Sequence, residues 1–184
     1  MNIQELITQC KRKNQQAEKE LFFRYAGKVL TLCRRYIKDE HEAKDYTQEC
    51  FVRVFQKLEK YDAQKGAFEG WLYRVCTNCI LQLMRKSKTD IPTIYPEQLP
   101  ENENVEELVE MLSREQIIES IRELPVGYRK VFNLFFFEGW SHKEIATELE
   151  IKEKTSQSQL TRAKRMLRKI LQKKINRTYE RSSA

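Results

Sequence analysis

The sequence has few of the residues that interrupt helices: its 184 residues include five glycines and four prolines. Lys, Glu, Leu and Arg are abundant instead, and all four favour helices. The composition therefore predicts an all-α fold.

Long apolar runs are absent as well, because no stretch approaches the roughly 20 apolar residues that span a bilayer. The N-terminal segment MNIQELITQCKRKNQ is amphipathic and does not have the pattern of a signal peptide. We therefore expect no membrane insertion and a cytoplasmic location.

Cysteines are few, and their number, five, does not suit a disulfide framework. Cys76 and Cys79 form a C-x-x-C, a spacing that occurs in zinc and redox sites. A structural zinc site needs four ligands, however, and the two histidines of the chain are isolated. Both cysteines also fall in the helical series Leu72, Cys76, Cys79 and Leu83. We favour buried core thiols over metal ligands and expect no metal and no cofactor.

No nucleophile–base pair or phosphate-binding loop stands out, so an enzyme is the least favoured class. His142 is interpreted simply as a residue in the first turn of a helix.

The net charge is +7, from 34 basic and 27 acidic residues. Such a surplus indicates a polyanion as partner.

The stretch 124–171 has the pattern of a helix-turn-helix. A helical apolar series ends at Gly139, a predicted C-terminal cap. Ser141 and Glu144 then form a predicted capping box for a short second helix. The small Ala146 of that helix allows a close crossing with its neighbour. These observations place the following side chains in the core: Val131, Leu134, Phe135, Ile145, Ala146, Leu149, Leu160, Ala163, Leu167, Ile170 and Leu171.

The last helix of this motif is strongly basic, with ten Lys or Arg and one acid between Lys152 and Arg177. Polar side chains at its start, with cations behind them, suit base readout with phosphate anchoring in a major groove. The alternative is a solvated amphipathic helix that closes a bundle. The agreement of the turn, the small residue and the charge favours a DNA-binding helix.

The N-terminal part predicts four helices, at about 3–13, 17–37, 42–59 and 68–87. The third helix carries Asp45, Gln48 and Glu49 on one polar face. The fourth carries Trp71, Arg74 and Asn78, residues that can stack on and pair with single-stranded bases. The pattern alone equally allows Trp71 as a core residue.

The segment 90–112 contains three prolines and seven acids but no basic residue. A proline-punctuated acidic stretch between basic helical modules is typical of a linker. The predicted divisions are a helical domain over 1–89, a linker over 90–112, a helix-turn-helix domain over 113–177 and a tail over 178–184.

Two motifs in this order resemble a known family. EAKDYTQECFVRVF with KYDAQKGAFEGWLYRVCTN is similar to region 2 of bacterial sigma factors, and LPVGYRKVFNLFFFEGWSHKEIATELEI with KTSQSQLTRAK is similar to region 4. The layout resembles the extracytoplasmic-function (ECF) group. The resemblance implies a factor that binds core RNA polymerase and directs promoter recognition, DNA melting and transcription initiation. It also implies promoter DNA and an anti-sigma factor as partners.

The resemblance also implies roles for particular residues. The core-polymerase face would be Asp45, Gln48 and Glu49. The single-stranded −10 element would contact Asp62, Ala63, Gln64, Lys65, Gly66, Trp71, Arg74 and Asn78. The duplex −35 element would contact Lys154, Gln157, Ser158, Thr161, Arg162 and Arg165.

The turn of the second motif departs from the family, because Glu150 and Lys152 replace its usual glycine and capping serine. We therefore expect Glu150 in a left-handed conformation. Ser156 stands where the family usually has a buried valine. The competing interpretation is a free-standing helix-turn-helix regulator with an N-terminal sensing or dimerisation bundle, which would leave Asp45 and its neighbours without a role.

Overall fold

The structure is a computed structural model that describes residues 1–86 and 112–182, with side chains described as far as residue 176. Every regular element in these residues is helical, which confirms the all-α prediction. The chain divides into two compact units, Met1–Thr89 and Asp90–Ala184. The predicted linker, 90–112, lies outside the described residues except for Leu112, so its boundaries stay a prediction.

The N-terminal unit contains helices α1 (Ile3–Lys11), α2 (Gln15–Tyr36), α3 (Glu40–Lys57) and α4 (Phe68–Lys86). Two short 3₁₀ turns, Leu58–Lys60 and Ala63–Lys65, lie between α3 and α4. The C-terminal unit contains α5 (Arg114–Glu123), α6 (Val126–Phe136), α7 (His142–Leu149) and α8 (Glu153–Ser182).

Asparagine and aspartate caps set the helix starts of the N-terminal unit. Helix α1 ends at Lys11 rather than at the predicted Lys13, because Lys13 is left-handed with φ 61°. Asn14 then accepts from the amides of Gln16 and Ala17 and starts α2. Asp39 likewise starts α3 two residues earlier than predicted. Short polar side chains satisfy the first amides of a helix, which fixes its start.

The core of the N-terminal unit lies among α2, α3 and α4, with α1 packed on α2. The apolar side chains of α2 at helical spacing are buried, as are Phe51, Val54 and Leu58 of α3; those of α2 are Leu21, Tyr25, Val29, Leu32 and Tyr36. Phe55, by contrast, is only half-buried and lies near the Phe51 ring, with 6.1 Å between centroids.

In the C-terminal unit, α5, α6 and α7 pack against α8. Lys174 of α8 forms ion pairs with Glu119 and Glu123 of α5, at 3.5 and 2.9 Å. Of the predicted core side chains, Phe135, Ala146, Leu149 and Ile170 are half-buried rather than buried. Helix α8 continues to Ser182, past the predicted boundary at 177.

Both predicted caps of the helix-turn-helix are present. Gly139 has φ +69°, and Trp140 N–H donates to the Leu134 carbonyl at 3.0 Å, which closes the end of α6. Ser141 and Glu144 form the capping box at the start of α7. The turn between α6 and α7 is therefore fixed at both ends by hydrogen bonds.

Candidate polymerase and nucleic-acid interfaces

The polar face of α3, formed by Asp45, Gln48 and Glu49, is exposed. The residues between these three are buried in the core. The helical period of 3.6 residues produces this separation. Val52 follows on the same face and is 48% exposed, which adds an apolar side chain that the sequence patterns did not single out.

The loop after α3 is exposed from Asp62 to Gly66 but has ordered internal bonds. The Asp62 carboxylate accepts from the Gln64 amide at 2.9 Å, and the Asp62 carbonyl accepts from the Lys65 amide at 3.1 Å. Tyr61 Oη donates to the Gly66 carbonyl at 3.1 Å. Gly66 has φ +148°, a conformation that favours glycine.

An aromatic cluster lies beneath this loop. The Tyr61 ring contacts the rings of Phe68 and Trp71, with 5.4 Å between centroids in each pair. Tyr25 of α2 contacts Phe68 at the same separation. Trp71 is half-buried, so it belongs to this cluster and still has an accessible surface.

Arg74 and Asn78 follow Trp71 along α4. Arg74 is exposed and Asn78 is half-buried. Within the described part of the chain, the buried Asn78 Oδ1 has no hydrogen-bond partner. Buried amide oxygens usually accept a hydrogen bond, so this oxygen is an acceptor that a ligand group could use.

The turn of the helix-turn-helix adopts the predicted conformation. Glu150 has φ 55° and ψ 41°, which confirms the left-handed prediction. The Ala146 carbonyl accepts from the amides of both Glu150 and Ile151. The Lys152 carbonyl accepts from the amides of Thr155 and Ser156 and so begins α8.

The first turns of α8 present the predicted DNA-binding side chains. Lys154, Gln157, Ser158 and Thr161 are exposed, and Arg162 and Arg165 are half-buried. The hydroxyls of Ser158 and Thr161 donate to helix carbonyls at 3.0 and 3.2 Å. These bonds direct the hydroxyl protons inward and leave the oxygens as acceptors on the surface.

His142 does more than the sequence predicted. It lies in the first turn of α7, and its Nδ1 is 2.9 Å from Oγ of Ser156 on α8. Its ring stacks on Phe135 of α6, with 4.9 Å between centroids. Ser156 is fully buried, and this hydrogen bond offsets the cost of burying its hydroxyl. Three helices thus meet at one imidazole.

All five cysteines are free and buried. Cys76 and Cys79 therefore lie in the core, as the helical series predicted. The Cys50 thiol donates to the Cys76 carbonyl at 3.6 Å. The pKa of the Cys50 thiol is raised, and the largest cause is its hydrogen bond with Cys33. Burial raises the pKa of Cys10 to about 11. Within residues 1–86 and 112–182, no cluster of His, Cys, Asp or Glu could hold a metal ion.

Comparison with known proteins identifies the family. Residues 21–89 match Sigma-70 region 2, and residues 114–167 match Sigma-70, region 4. The ECF RNA polymerase sigma factor SigW of Bacillus subtilis (strain 168) is 31% identical over 183 residues, covering 93% of this chain and 97% of SigW. The chain belongs to the ECF sigma factors. The match to SigW spans both units of this chain, which supports a sigma factor over a free-standing regulator.

Other proteins that are similar to this sigma factor are sigma factors as well. The ECF RNA polymerase sigma factor SigE of Mycolicibacterium smegmatis is 32% identical over 164 residues, which cover 86% of this chain and 63% of SigE. The sigma factor RpoE of Bartonella quintana, solved with the anti-sigma factor NepR, has the same fold, with a TM-score of 0.53 and 16% identity; the match covers 84% of this chain and 96% of RpoE. Among the described helices of the chain, none has the length and apolar character to cross a membrane.

Proposed function

We propose that this ECF sigma factor initiates transcription through three separate surfaces. The exposed face of α3 binds core RNA polymerase, the loop 62–66 with α4 holds the melted −10 element, and α8 reads the −35 element as duplex DNA. The protein has no catalytic activity of its own, because polymerisation belongs to the core enzyme. It acts in the cytoplasm, where the core enzyme and the promoters are.

The observation that carries the proposal is the exposed polar face of α3. Asp45, Gln48 and Glu49 are exposed within about one turn of a helix whose other face is buried core. These exposed carboxylates and the amide are available to a partner, and they occupy the positions of the D-x-x-Q-E motif that resembles sigma region 2. Val52 adds an apolar contact at the end of the face, a combination common in protein interfaces.

The single-strand surface is supported by its aromatic and amide groups. Half-buried Trp71 offers a ring held by Tyr61 and Phe68, and stacking of a base on a fixed ring needs little ordering. The unpaired Asn78 Oδ1 can accept from an exocyclic amine of an unstacked base. Arg74 supplies a cation on the same helix.

The duplex surface is supported by the start of α8. Its exposed amide and hydroxyl groups suit contacts with base edges, and its basic residues suit phosphates. The solved relative from Bartonella quintana is bound to an anti-sigma factor. We infer that this chain has an anti-sigma partner as well.

The test exchanges the charge of the α3 face. In the full chain, Asp45→Lys with Glu49→Lys should abolish co-elution with core RNA polymerase, because two cations replace two anions at the contact. Circular dichroism should show unchanged helical content, since both residues are exposed. We expect binding to fall at least a hundredfold, on the order of the cost of like-charge contacts in interfaces.

The matched control makes the same change of net charge elsewhere. Glu115→Lys with Glu119→Lys alters two exposed acids at the same i,i+4 spacing on α5, in the C-terminal unit, and should bind core enzyme normally. Normal binding by the Asp45 and Glu49 double variant would refute the assignment of this surface. Equal losses in both double variants would show that net charge, and not the face, governs binding.

A further inference from the structure

The loop proposed to hold single-stranded DNA is tied to the first helix of the chain. Lys11 is the last residue of α1, and its Nζ donates to the Tyr61 carbonyl at 3.0 Å in a part-buried position. Tyr61 directly precedes the loop 62–66. This hydrogen bond joins residues that are 50 positions apart in the sequence.

Tyr61 also closes the far end of the loop. Its hydroxyl donates to the Gly66 carbonyl at 3.1 Å, while its ring is buried against Phe68 and Trp71. Its amide donates to the Leu58 carbonyl at 3.0 Å. Both ends of the loop therefore depend on the position of one residue, and Lys11 supplies the bond to that residue's carbonyl.

A charged donor makes a stronger hydrogen bond than a neutral one, especially where water is partly excluded. The ammonium group of Lys11 therefore holds the Tyr61 backbone more firmly than a neutral side chain of similar length could. A loop that is already in its bound shape loses less conformational entropy when a ligand binds. The tether should therefore favour binding without any contact to the DNA.

We propose that Lys11 is a positioning residue for the capture of single-stranded promoter DNA: it fixes the loop 62–66 through Tyr61 and does not itself bind the DNA. The inference rests on the proposed function of that loop. It gives α1 a role in promoter opening.

The experiment compares Lys11→Met with Arg12→Met. Both changes remove one cation, but Arg12 is exposed at the helix end. Full-length variants are bound to core polymerase and titrated with a single-stranded −10 oligonucleotide, taken from a promoter found by run-off transcription on genomic fragments. Lys11→Met should weaken binding about tenfold, and Arg12→Met should leave it within twofold.

Salt dependence separates positioning from direct contact. A lysine that binds a phosphate releases a counterion, and its removal lowers the slope of log K against log salt by about one. Lys11→Met should keep the wild-type slope. Lys11→Arg keeps a charged donor and should restore most of the affinity. A slope lowered by about one would overturn the inference, because Lys11 would then bind DNA itself.

A second measurement follows the loop directly. Hydrogen exchange of the Gln64 and Lys65 amides, which donate to Asp62, should become several-fold faster in Lys11→Met. Unchanged exchange with unchanged DNA binding would refute the inference. If Lys11→Met does not fold, the milder Lys11→Gln takes its place in both measurements with the same expected directions.

A parallel variant distinguishes the two proposals. Trp71→Ala removes the stacking ring of the single-strand surface and should weaken oligonucleotide binding. If Trp71→Ala weakens it and Lys11→Met does not, the positioning role alone is refuted. If Trp71→Ala has no effect, the single-strand surface is misplaced; faster loop exchange in Lys11→Met would then still establish the tether.

Discussion

At the scale of single residues, the hydrogen bond between His142 and Ser156 links the first turn of α7 to a buried serine of α8. Ser156 occupies a fully buried position, and its hydroxyl is hydrogen-bonded to His142 in the first turn of α7. The sequence showed a serine in place of valine. It did not show which distant group would satisfy that serine.

We expect Ser156→Ala to destabilise the C-terminal unit by about 1–3 kcal/mol, because it leaves His142 Nδ1 without its partner. Hydrogen exchange of the α8 amides near Leu160 measures this local change. Ser158→Ala, two residues along and exposed, is the control and should change stability by less than about 0.5 kcal/mol. Equal exchange rates in the two variants would contradict the role given to the hydrogen bond.

At Glu150 we expect a substitution to stabilise the unit, because a left-handed backbone is costly for a residue with a Cβ atom. Glu150→Gly should stabilise the unit by about 0.5–1 kcal/mol, since glycine adopts this conformation without steric cost. Urea unfolding of the full chain checks the sign. A loss of stability would mean that contacts of the Glu150 side chain outweigh the backbone cost.

At the scale of elements, the helices and their order could be predicted from apolar periodicity, and the helix-turn-helix from its caps. The starts of α2 and α3 were misplaced by two residues because the periodicity of the core does not include capping residues. Asn14 and Asp39 set those starts through side-chain bonds to the first amides. Local hydrogen bonds, rather than burial, determine where these helices begin.

The candidate sites, like the helices, could be predicted only where they depend on helical spacing. Exposed faces such as that of α3 follow from helical spacing, so Asp45 and Glu49 could be found in the sequence. The tether from Lys11 to Tyr61 could not, because it joins a helix end to a loop 50 residues away. The burial of Asn78 Oδ1 likewise depends on tertiary packing that spacing does not reveal.

At the scale of the whole molecule, the surfaces proposed to bind DNA differ in kind between the two units. The surface on α8 suits an intact groove, and the surface on α4 suits bases that have left the stack. We expect Arg162→Ala to weaken the closed complex several-fold and to lower the salt slope by about one. Asn78→Ala should keep closed-complex affinity but reduce strand opening about tenfold, because base flipping costs a few kcal/mol that contacts must offset.

Permanganate footprinting and a template with a pre-melted −10 bubble separate these two effects. The bubble removes the cost of opening, so it should partly rescue Asn78→Ala and should not rescue Arg162→Ala. Rescue of both variants alike would contradict the division of labour between the units. Equal strand opening by the two variants, once they are bound to the promoter, would also contradict it.

The burial of all five cysteines makes recovery from heating depend on the surrounding medium. In the folded chain the thiols are shielded from oxidants, but unfolding exposes every one of them. An oxidant such as a small disulfide then joins them in pairs, and the odd fifth thiol is left to cross-link a second chain. Mispaired chains cannot refold. We therefore expect more of the protein to refold after heating in a reducing medium than in an oxidising one.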